Sequence, residues 1–214
     1  LMNLSSDISN FQYKLSSLNH LLLSVKDDYE LWQEFKVGNK DSLSVIYHRY
    51  FNELYNYGLK ISGDENIAKD CLQELFTNLW FTREKLGNVA SIKFYLIKSF
   101  RRSLINFIKK SKKERFMKIA FIQTQPDILF SSEEFIVAEE KLQIKKEYLA
   151  KILNSLPKRR KEALYLKYYR ELNYEEIASI MNLSEKAVIN HVYKAFKSIK
   201  LDAKVMNNLS ILLG

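Results

Sequence analysis

The chain is poor in residues that break helices, build metal sites or cross-link secreted folds. Its 214 residues include 5 Gly and 2 Pro, and no Gly lies between Gly87 and Gly214. Strand hairpins need turn residues at short intervals, so this scarcity predicts long helices joined by short connections. The single cysteine, Cys71, excludes an internal disulfide, and the three histidines lie far apart without partners at ligand spacing. We therefore expect neither a metal site nor a cofactor.

Long apolar runs are also missing. A membrane-spanning helix needs about 18 or more consecutive apolar residues, and no such run occurs. The stretch 18–25 is interrupted by polar residues and is not followed by a small-residue cleavage site, so it does not resemble a signal peptide. The sequence predicts a cytoplasmic protein without direct membrane insertion.

Charge is present in excess and is unevenly distributed. The formal net charge is +9, from 34 basic and 25 acidic residues. Residues 93–118 contain 10 basic residues against Glu114 alone, and residues 141–200 contain 14 basic against 6 acidic. Between these blocks, residues 119–140 contain five acidic residues and no basic one. Two basic blocks separated by an acidic connector suggest two surfaces that bind a polyanion, although solvated helix faces would give the same count.

Apolar residues at three- and four-residue steps predict four helices before residue 118. The first ends at Gly38, Asn39 caps the second, Gly63 and Asp64 precede the third, and the fourth begins near Ser91. Cys71 falls on the apolar face of the third helix, which predicts a small buried side chain and not a nucleophile. The fourth helix has its apolar positions at Phe94, Ile97, Leu104, Ile105 and Ile108, and its other faces carry most of the first basic block.

The fold class predicted is all-α, with two helical domains joined by an acidic linker. The boundaries are an N-terminal extension at 1–26, a first domain at 27–117, a linker at 118–140, a second domain at 141–200 and a tail at 201–214. In the second domain we expect a helix ending near Leu153, another starting at Pro157, and two short helices after it.

The stretch 172–200 is the most informative part of the sequence. Asn173 and Glu176 have capping-box spacing, Asn182 suits a left-handed turn, and Ser184 can cap the next helix. Small Ala178 allows the two helices to cross closely. This pattern predicts a helix-turn-helix whose second helix enters a major groove of DNA.

The exposed side of that second helix is basic and polar. Asn pairs with adenine edges, and Lys binds guanine or phosphate, so the pattern favours DNA binding over a purely structural helix pair. The candidate DNA-contacting residues on this helix are Lys186, Asn190, His191, Tyr193, Lys194 and Lys197.

Two parts of the chain together resemble the extracytoplasmic-function sigma factors. The run LPKRRKEALYLKYYRELNYEEIASIMNLSEKAVINHVYKAFKSIK resembles region four of that family, which reads the minus-thirty-five promoter element. The runs AKDCLQELFTNLW and SIKFYLIKSFRRSLINFIKK resemble region two. The final VINHVYKAFKSIK most resembles the Bacteroidetes branch, whose members are often governed by membrane-bound anti-sigma factors.

The resemblance implies roles for particular residues of region two. Asp70, Gln73 and Glu74 match the helix face that docks on the core polymerase, although an ordinary solvated acidic face has the same spacing. The loop 87–92, with Gly87, Asn88 and Ser91, matches the segment that captures a flipped base of the minus-ten element. The residues matched to the phosphates of the opened strand are Lys93, Lys98, Arg101, Arg102, Lys109 and Lys110. Asn106 lies among them and could contact a base or remain solvated.

In region four, Asn190, Tyr193 and Lys194 match recognition-helix positions, and Arg159 and Arg160 open the preceding helix beside the DNA backbone. The resemblance implies a sigma factor that performs no catalysis itself. It implies core RNA polymerase and promoter DNA as partners, together with an anti-sigma factor.

Three alternatives remain at this stage. A stand-alone helix-turn-helix regulator would explain residues 172–200 but would leave the basic helix at 93–118 without a role. A nuclease would need clustered carboxylates beside a basic surface, and none occurs at catalytic spacing outside the helix faces. A purely structural helical adaptor is the third.

Overall fold

The fold is described from a computed structural model that covers residues 26–115, 127–130 and 143–212, with side chains at 26–110, 127–130 and 147–201. The predicted N-terminal extension, apart from Lys26, lies outside these residues. Most of the predicted linker 118–140 also lies outside them, including four of its five acids. The side chains of the predicted tail lie outside them from residue 202 onward.

Four helices form the first unit, as predicted. They are α1 (Asp28–Lys36), α2 (Lys40–Ser62), α3 (Glu65–Thr82) and α4 (Ile92–Arg115), with a short 3₁₀ turn at Arg83–Lys85. The predicted caps are present: the Asn39 side chain accepts from the N–H groups of Asp41 and Ser42, and Asp64 caps α3 in the same way. Gly63 ends α2 in the left-handed conformation, with φ of 66°. The start and end signals in the sequence therefore locate these helices correctly.

A close approach between α2 and α4 depends on Gly58. An ideal Cβ at this position would lie 2.8 Å from Cζ of Phe100, whose ring is fully buried. A glycine lets the ring occupy that space. Tyr57 precedes Gly58 in the sequence, and Arg101 follows Phe100. The close approach therefore brings Tyr57 and Arg101 together on the side of this unit that faces the second unit, described next.

The second unit contains α5 (Gln143–Ser155), α6 (Lys158–Tyr168), α7 (Tyr174–Met181) and α8 (Glu185–Leu212). Asn173 and Glu176 form the predicted capping box at the start of α7. Asn182 ends α7 in the left-handed conformation, with φ of 53°. The Ser184 hydroxyl then caps α8 by accepting from the N–H of Ala187. The helix-turn-helix at α7 and α8 is therefore confirmed.

The expectation that the last helix is short was wrong, because α8 runs for 28 residues. No Gly or Pro occurs between its start and Gly214, so nothing in the sequence ends it near Lys200.

The two units pack against each other, with α4 touching α7. Ile128 and Phe130, from the connecting segment, are buried in the same core. Within the described part of the chain there is no β-strand, and none of the helices is both long and apolar enough to cross a membrane.

Candidate nucleic-acid interface

The second helix of the helix-turn-helix exposes the side chains that the sequence singled out. Val188, Val192 and Ala195 pack inward and fix the rotation of α8. The opposite side exposes Tyr193, which is 64% accessible. The other exposed candidates are Lys186, Asn190, Lys194 and Lys197, while His191 is half-buried. This face combines amide, phenol and ammonium groups and suits the edges and phosphates of a DNA groove.

A basic cavity lies where the start of α6 meets α8. Its volume is about 280 Å³, and its lining includes Arg159, Arg160, His191 and Lys194. Burial lowers the pKa of the His191 imidazole, and the positive charges of those three neighbours lower it further. The lowered pKa favours the neutral imidazole, which offers one hydrogen-bond donor and one acceptor beside fixed cations. The N-terminus of α6 adds its own positive field, and the cavity suits a backbone phosphate.

The basic helix α4 presents only part of its predicted set to solvent. Arg102, Asn106, Lys109 and Lys110 are exposed. Lys98 is also exposed, but its ammonium donates to the Ser179 hydroxyl of α7 at 2.8 Å. Lys93 is half-buried, with its Nζ 3.1 Å from Oε1 of Glu53.

Arg101 differs most from its predicted surroundings. The sequence placed it among exposed phosphate-binding cations, yet it is only 8% accessible. Its Nε lies 2.6 Å from Oε1 of Glu162, and its Nη2 lies 3.1 Å from Oε2. Burial would lower the pKa of the guanidinium, but the hydrogen bonds and charge of Glu162 outweigh burial and raise it. A DNA contact by Arg101 stays a prediction for an arrangement in which the two units separate.

The sequence contains a signal for this burial. Arg101 lies four residues after Ile97 and three before Leu104, and both of these are buried apolar positions of α4. A charged residue on an apolar helix stripe indicates a buried partner of opposite charge. Glu162, which supplies that partner, and Tyr57, which hydrogen-bonds to it, were not predicted as functional residues.

The loop before α4 is held by α1 through contacts that no local sequence pattern predicts. The indole N–H of Trp32 donates to the backbone carbonyl of Gly87 at 3.0 Å. The Asn88 side-chain oxygen accepts from Gln33 at 3.0 Å and from Lys36 at 3.1 Å. Gly87 and Asn88 are exposed, so α1 fixes the loop while leaving its outer side accessible. Ser91, at the end of the loop, is half-buried and caps α4 by accepting from the N–H of Phe94.

An acidic face lies on α3. Asp70, Gln73 and Glu74 are exposed along one side of this helix. Cys71 is fully buried on the other side, as its apolar spacing predicted. Burial raises the pKa of its thiol to about 11. The polar side of α3 is thus available for docking, and the thiol is not.

Comparison with protein families matches both units. A model described as Sigma-70 region 2 matches residues 46–114, and a model described as Sigma-70, region 4 matches residues 146–199. These matches cover α4 and the helix-turn-helix, the two basic parts of the molecule.

Curated relatives match across most of their lengths. The ECF RNA polymerase sigma factor SigM of Bacillus subtilis is 29% identical over 160 residues, covering 74% of this chain and 93% of that protein. The RNA polymerase sigma factor YlaC of the same organism is 25% identical over 162 residues, covering 76% of this chain and 92% of that protein.

Solved structures share the fold. CnrH in complex with the cytosolic domain of CnrY gives a TM-score of 0.54 at 17% identity, covering 82% of this chain and 97% of that one. The sigma factor RpoE in complex with the anti-sigma factor NepR, from Bartonella quintana, gives a TM-score of 0.53 at 18% identity. That match covers 74% of this chain and 94% of the RpoE chain. With region two and region four matched in tandem, the chain belongs to the sigma-70 family of RNA polymerase sigma factors, in its extracytoplasmic-function (ECF) group.

Proposed function

We propose that this sigma factor binds core RNA polymerase through α3 and brings two separate promoter elements to it. The observation that carries the proposal is the presence of a basic helix and a helix-turn-helix on two units of one chain. A stand-alone regulator needs only the second of these. Tethering both units on the polymerase gives them a high effective concentration on DNA, so two weak surfaces act together.

In the proposed roles, α8 reads the minus-thirty-five element on duplex DNA. Asn190, Tyr193 and Lys194 face base edges and phosphates, while Lys186, His191 and Lys197 lie beside them. Arg159 and Arg160 hold a backbone phosphate in the basic cavity. Most of the binding energy at such a surface comes from phosphate contacts, and the base contacts provide selectivity.

The first unit acts on the opened minus-ten strand. Its exposed cations on α4 hold the phosphates, and the loop with Gly87, Asn88 and Ser91 receives an unstacked base. Unstacking costs a few kcal/mol, which a preformed loop beside a basic helix offsets. The hydrogen bonds from Trp32, Gln33 and Lys36 support this proposal because they fix the loop before DNA arrives.

The chain provides binding surfaces, and the polymerase provides the chemistry of transcription. An anti-sigma factor is a further proposed partner, since the RpoE structure above is that of a sigma factor in complex with an anti-sigma factor. Membership of the Bacteroidetes branch and a cytoplasmic location of this chain stay predictions.

Co-elution with purified core RNA polymerase tests the docking proposal. The wild-type chain is expected to co-elute, and the Glu74→Lys variant is expected to bind at least about tenfold more weakly because like charges replace complementary ones. Glu30→Lys, at an exposed position on α1, is the matched control. Equal retention of both variants would contradict docking through α3.

A further inference from the structure

A buried charged pair joins the two units. Arg101 of α4 and Glu162 of α6 form two parallel hydrogen bonds, at 2.6 and 3.1 Å. Their accessible fractions are 8% and 1%. The remaining guanidinium nitrogen donates to the carbonyl of Ile180 at 2.9 Å, and the Tyr57 hydroxyl donates to Glu162 at 3.1 Å. Every polar group of the pair is engaged, as a buried pair requires.

Stacked aromatic rings adjoin the pair, and Phe130 of the connecting segment packs against these rings. Tyr57 and Tyr165 stack across the two units with ring centroids 5.7 Å apart and planes 7° from parallel. Phe130 is 4% accessible, and Asn154 makes two hydrogen bonds to its backbone, at 2.8 and 2.9 Å. Lys60 of α2 donates to the carbonyl of Leu129 at 2.7 Å. Residues 127–130 are therefore held by hydrogen bonds to both units.

The interface also engages two more of the cations assigned to the minus-ten strand. Lys98 is hydrogen-bonded to Ser179 across the interface. Lys93 is ion-paired with Glu53, which also lies 3.2 Å from Arg170 of the second unit. Three of the six cations assigned to the opened strand are thus occupied by protein partners in this arrangement.

We call the arrangement in which α4 packs against α7 the closed arrangement. In it, the two units are too close together to reach both promoter elements. The minus-ten and minus-thirty-five elements are about 25 base pairs apart, which is roughly 85 Å of duplex at about 3.4 Å per base pair. Here α4 and α7 are in direct contact. The two units must therefore separate before each can reach its own element.

We propose that Glu162 is an internal substitute for a DNA phosphate. Its carboxylate holds Arg101 in the two-pronged geometry that a guanidinium also uses with phosphate, and it keeps the free sigma factor closed. When the units separate on polymerase, Arg101 releases Glu162 and takes a phosphate of the opened strand. This inference rests on the proposed function, because it requires the minus-ten role of α4.

Removing the carboxylate charge favours the open arrangement. In a Glu162→Gln variant, the closed state would bury the Arg101 cation without a counter-charge, which is strongly unfavourable. Opening returns the guanidinium to water and relieves that cost. The open fraction therefore rises, and apparent affinity for single-stranded DNA rises in proportion to it.

The experiment uses the full chain, small-angle X-ray scattering and fluorescence anisotropy with a labelled oligothymidine of about 20 nucleotides. Glu162→Gln is expected to increase the radius of gyration and tighten binding at least about fivefold. The matched control Glu147→Gln, at an exposed position on α5, is expected to change neither. Arg101→Gln alone leaves the buried Glu162 carboxylate without a counter-charge, so it is also expected to expand the chain, but without most of the gain in affinity.

Each outcome decides one part of the proposal. An unchanged radius and affinity in Glu162→Gln would overturn the latch, that is, the proposal that the Arg101–Glu162 pair keeps the chain closed. An Arg101→Gln variant that expands and gains as much affinity as Glu162→Gln would overturn the phosphate exchange by Arg101. Circular dichroism checks that the variants are folded. If Glu162→Gln is unfolded, Tyr57→Phe keeps the ring stack and removes one hydrogen bond to Glu162. It is expected to shift both readouts in the same direction by a smaller amount, and no shift would overturn the latch.

Failure of the latch is distinguishable from failure of the proposed function. A chain that opens as described but never co-elutes with core polymerase contradicts the sigma-factor proposal and leaves the latch intact. A chain that co-elutes but shows no effect of Glu162→Gln contradicts the latch alone.

Discussion

Replacing Gly58 by alanine tests the close approach of α2 and α4. In the middle of an exposed helix this substitution would stabilise the protein by about 1 kcal/mol, because alanine has the higher helix propensity. Here the new Cβ would lie 2.8 Å and 2.9 Å from two carbons of the Phe100 ring and 3.2 Å from Cβ of Ala68. Overpacking of a buried ring costs about 1–3 kcal/mol. We therefore expect a net change between neutral and a destabilisation of about 2 kcal/mol.

The assay is urea unfolding followed by far-UV circular dichroism, with Phe100→Leu added to Gly58→Ala in a double-mutant cycle. The clash acts through the Phe100 ring, so the double variant should be destabilised by less than the sum of the two single changes. Gly87→Ala is the matched control, since no atom lies within 4 Å of the added Cβ. Stabilisation by Gly58→Ala of about 1 kcal/mol, with no coupling to Phe100, would contradict the predicted clash, because only the helix-propensity gain would remain.

Three further predictions concern the second unit and the buried thiol. Lys194→Ala should reduce the slope of log affinity against log salt on duplex DNA by about one, because one phosphate contact is lost, whereas the exposed Lys151→Ala should leave the slope unchanged. Asn173→Ala should destabilise the second unit by about 1 kcal/mol, because the cap of α7 is lost, whereas Asn173→Asp keeps a capping oxygen and should not. Equal unfolding curves for the wild-type chain and Asn173→Ala would contradict the role of the cap. Because burial raises the pKa of the Cys71 thiol from 9.0 to about 11, its thiolate fraction near pH 8 falls about a hundredfold. Ellman's reagent should therefore react with Cys71 rapidly only after unfolding, and fast reaction with the native chain would show an accessible thiol.

Local signals in the sequence predicted most of the secondary structure. Asn39, Asp64 and Asn173 each cap the helix that was expected to follow, because a side-chain acceptor there satisfies N–H groups that have no partner within the helix. The end of α8 was missed because its sequence carries no stop signal, and helix ends without one are not determined by local sequence.

The candidate site was predictable in its exposed parts and not in its buried ones. Helical periodicity places Asn190 and Lys194 opposite the buried Val188 and Val192, so their exposure follows from the sequence alone. The pairing of Arg101 with Glu162 joins positions 61 residues apart on different units. No local pattern specifies which carboxylate meets that guanidinium, because the partner depends on how the two units pack.

The proposed function is that this chain brings RNA polymerase to a promoter and stabilises the opened minus-ten strand. A permanganate footprint tests it most directly, with purified core polymerase and this chain on promoter fragments enriched from genomic DNA. We expect reactive thymines near the start site only when both proteins are present, since region two is proposed to act on unstacked bases within the polymerase complex. Tight binding to duplex DNA without polymerase, and no reactive thymines with it, would contradict the claim and indicate a conventional helix-turn-helix regulator.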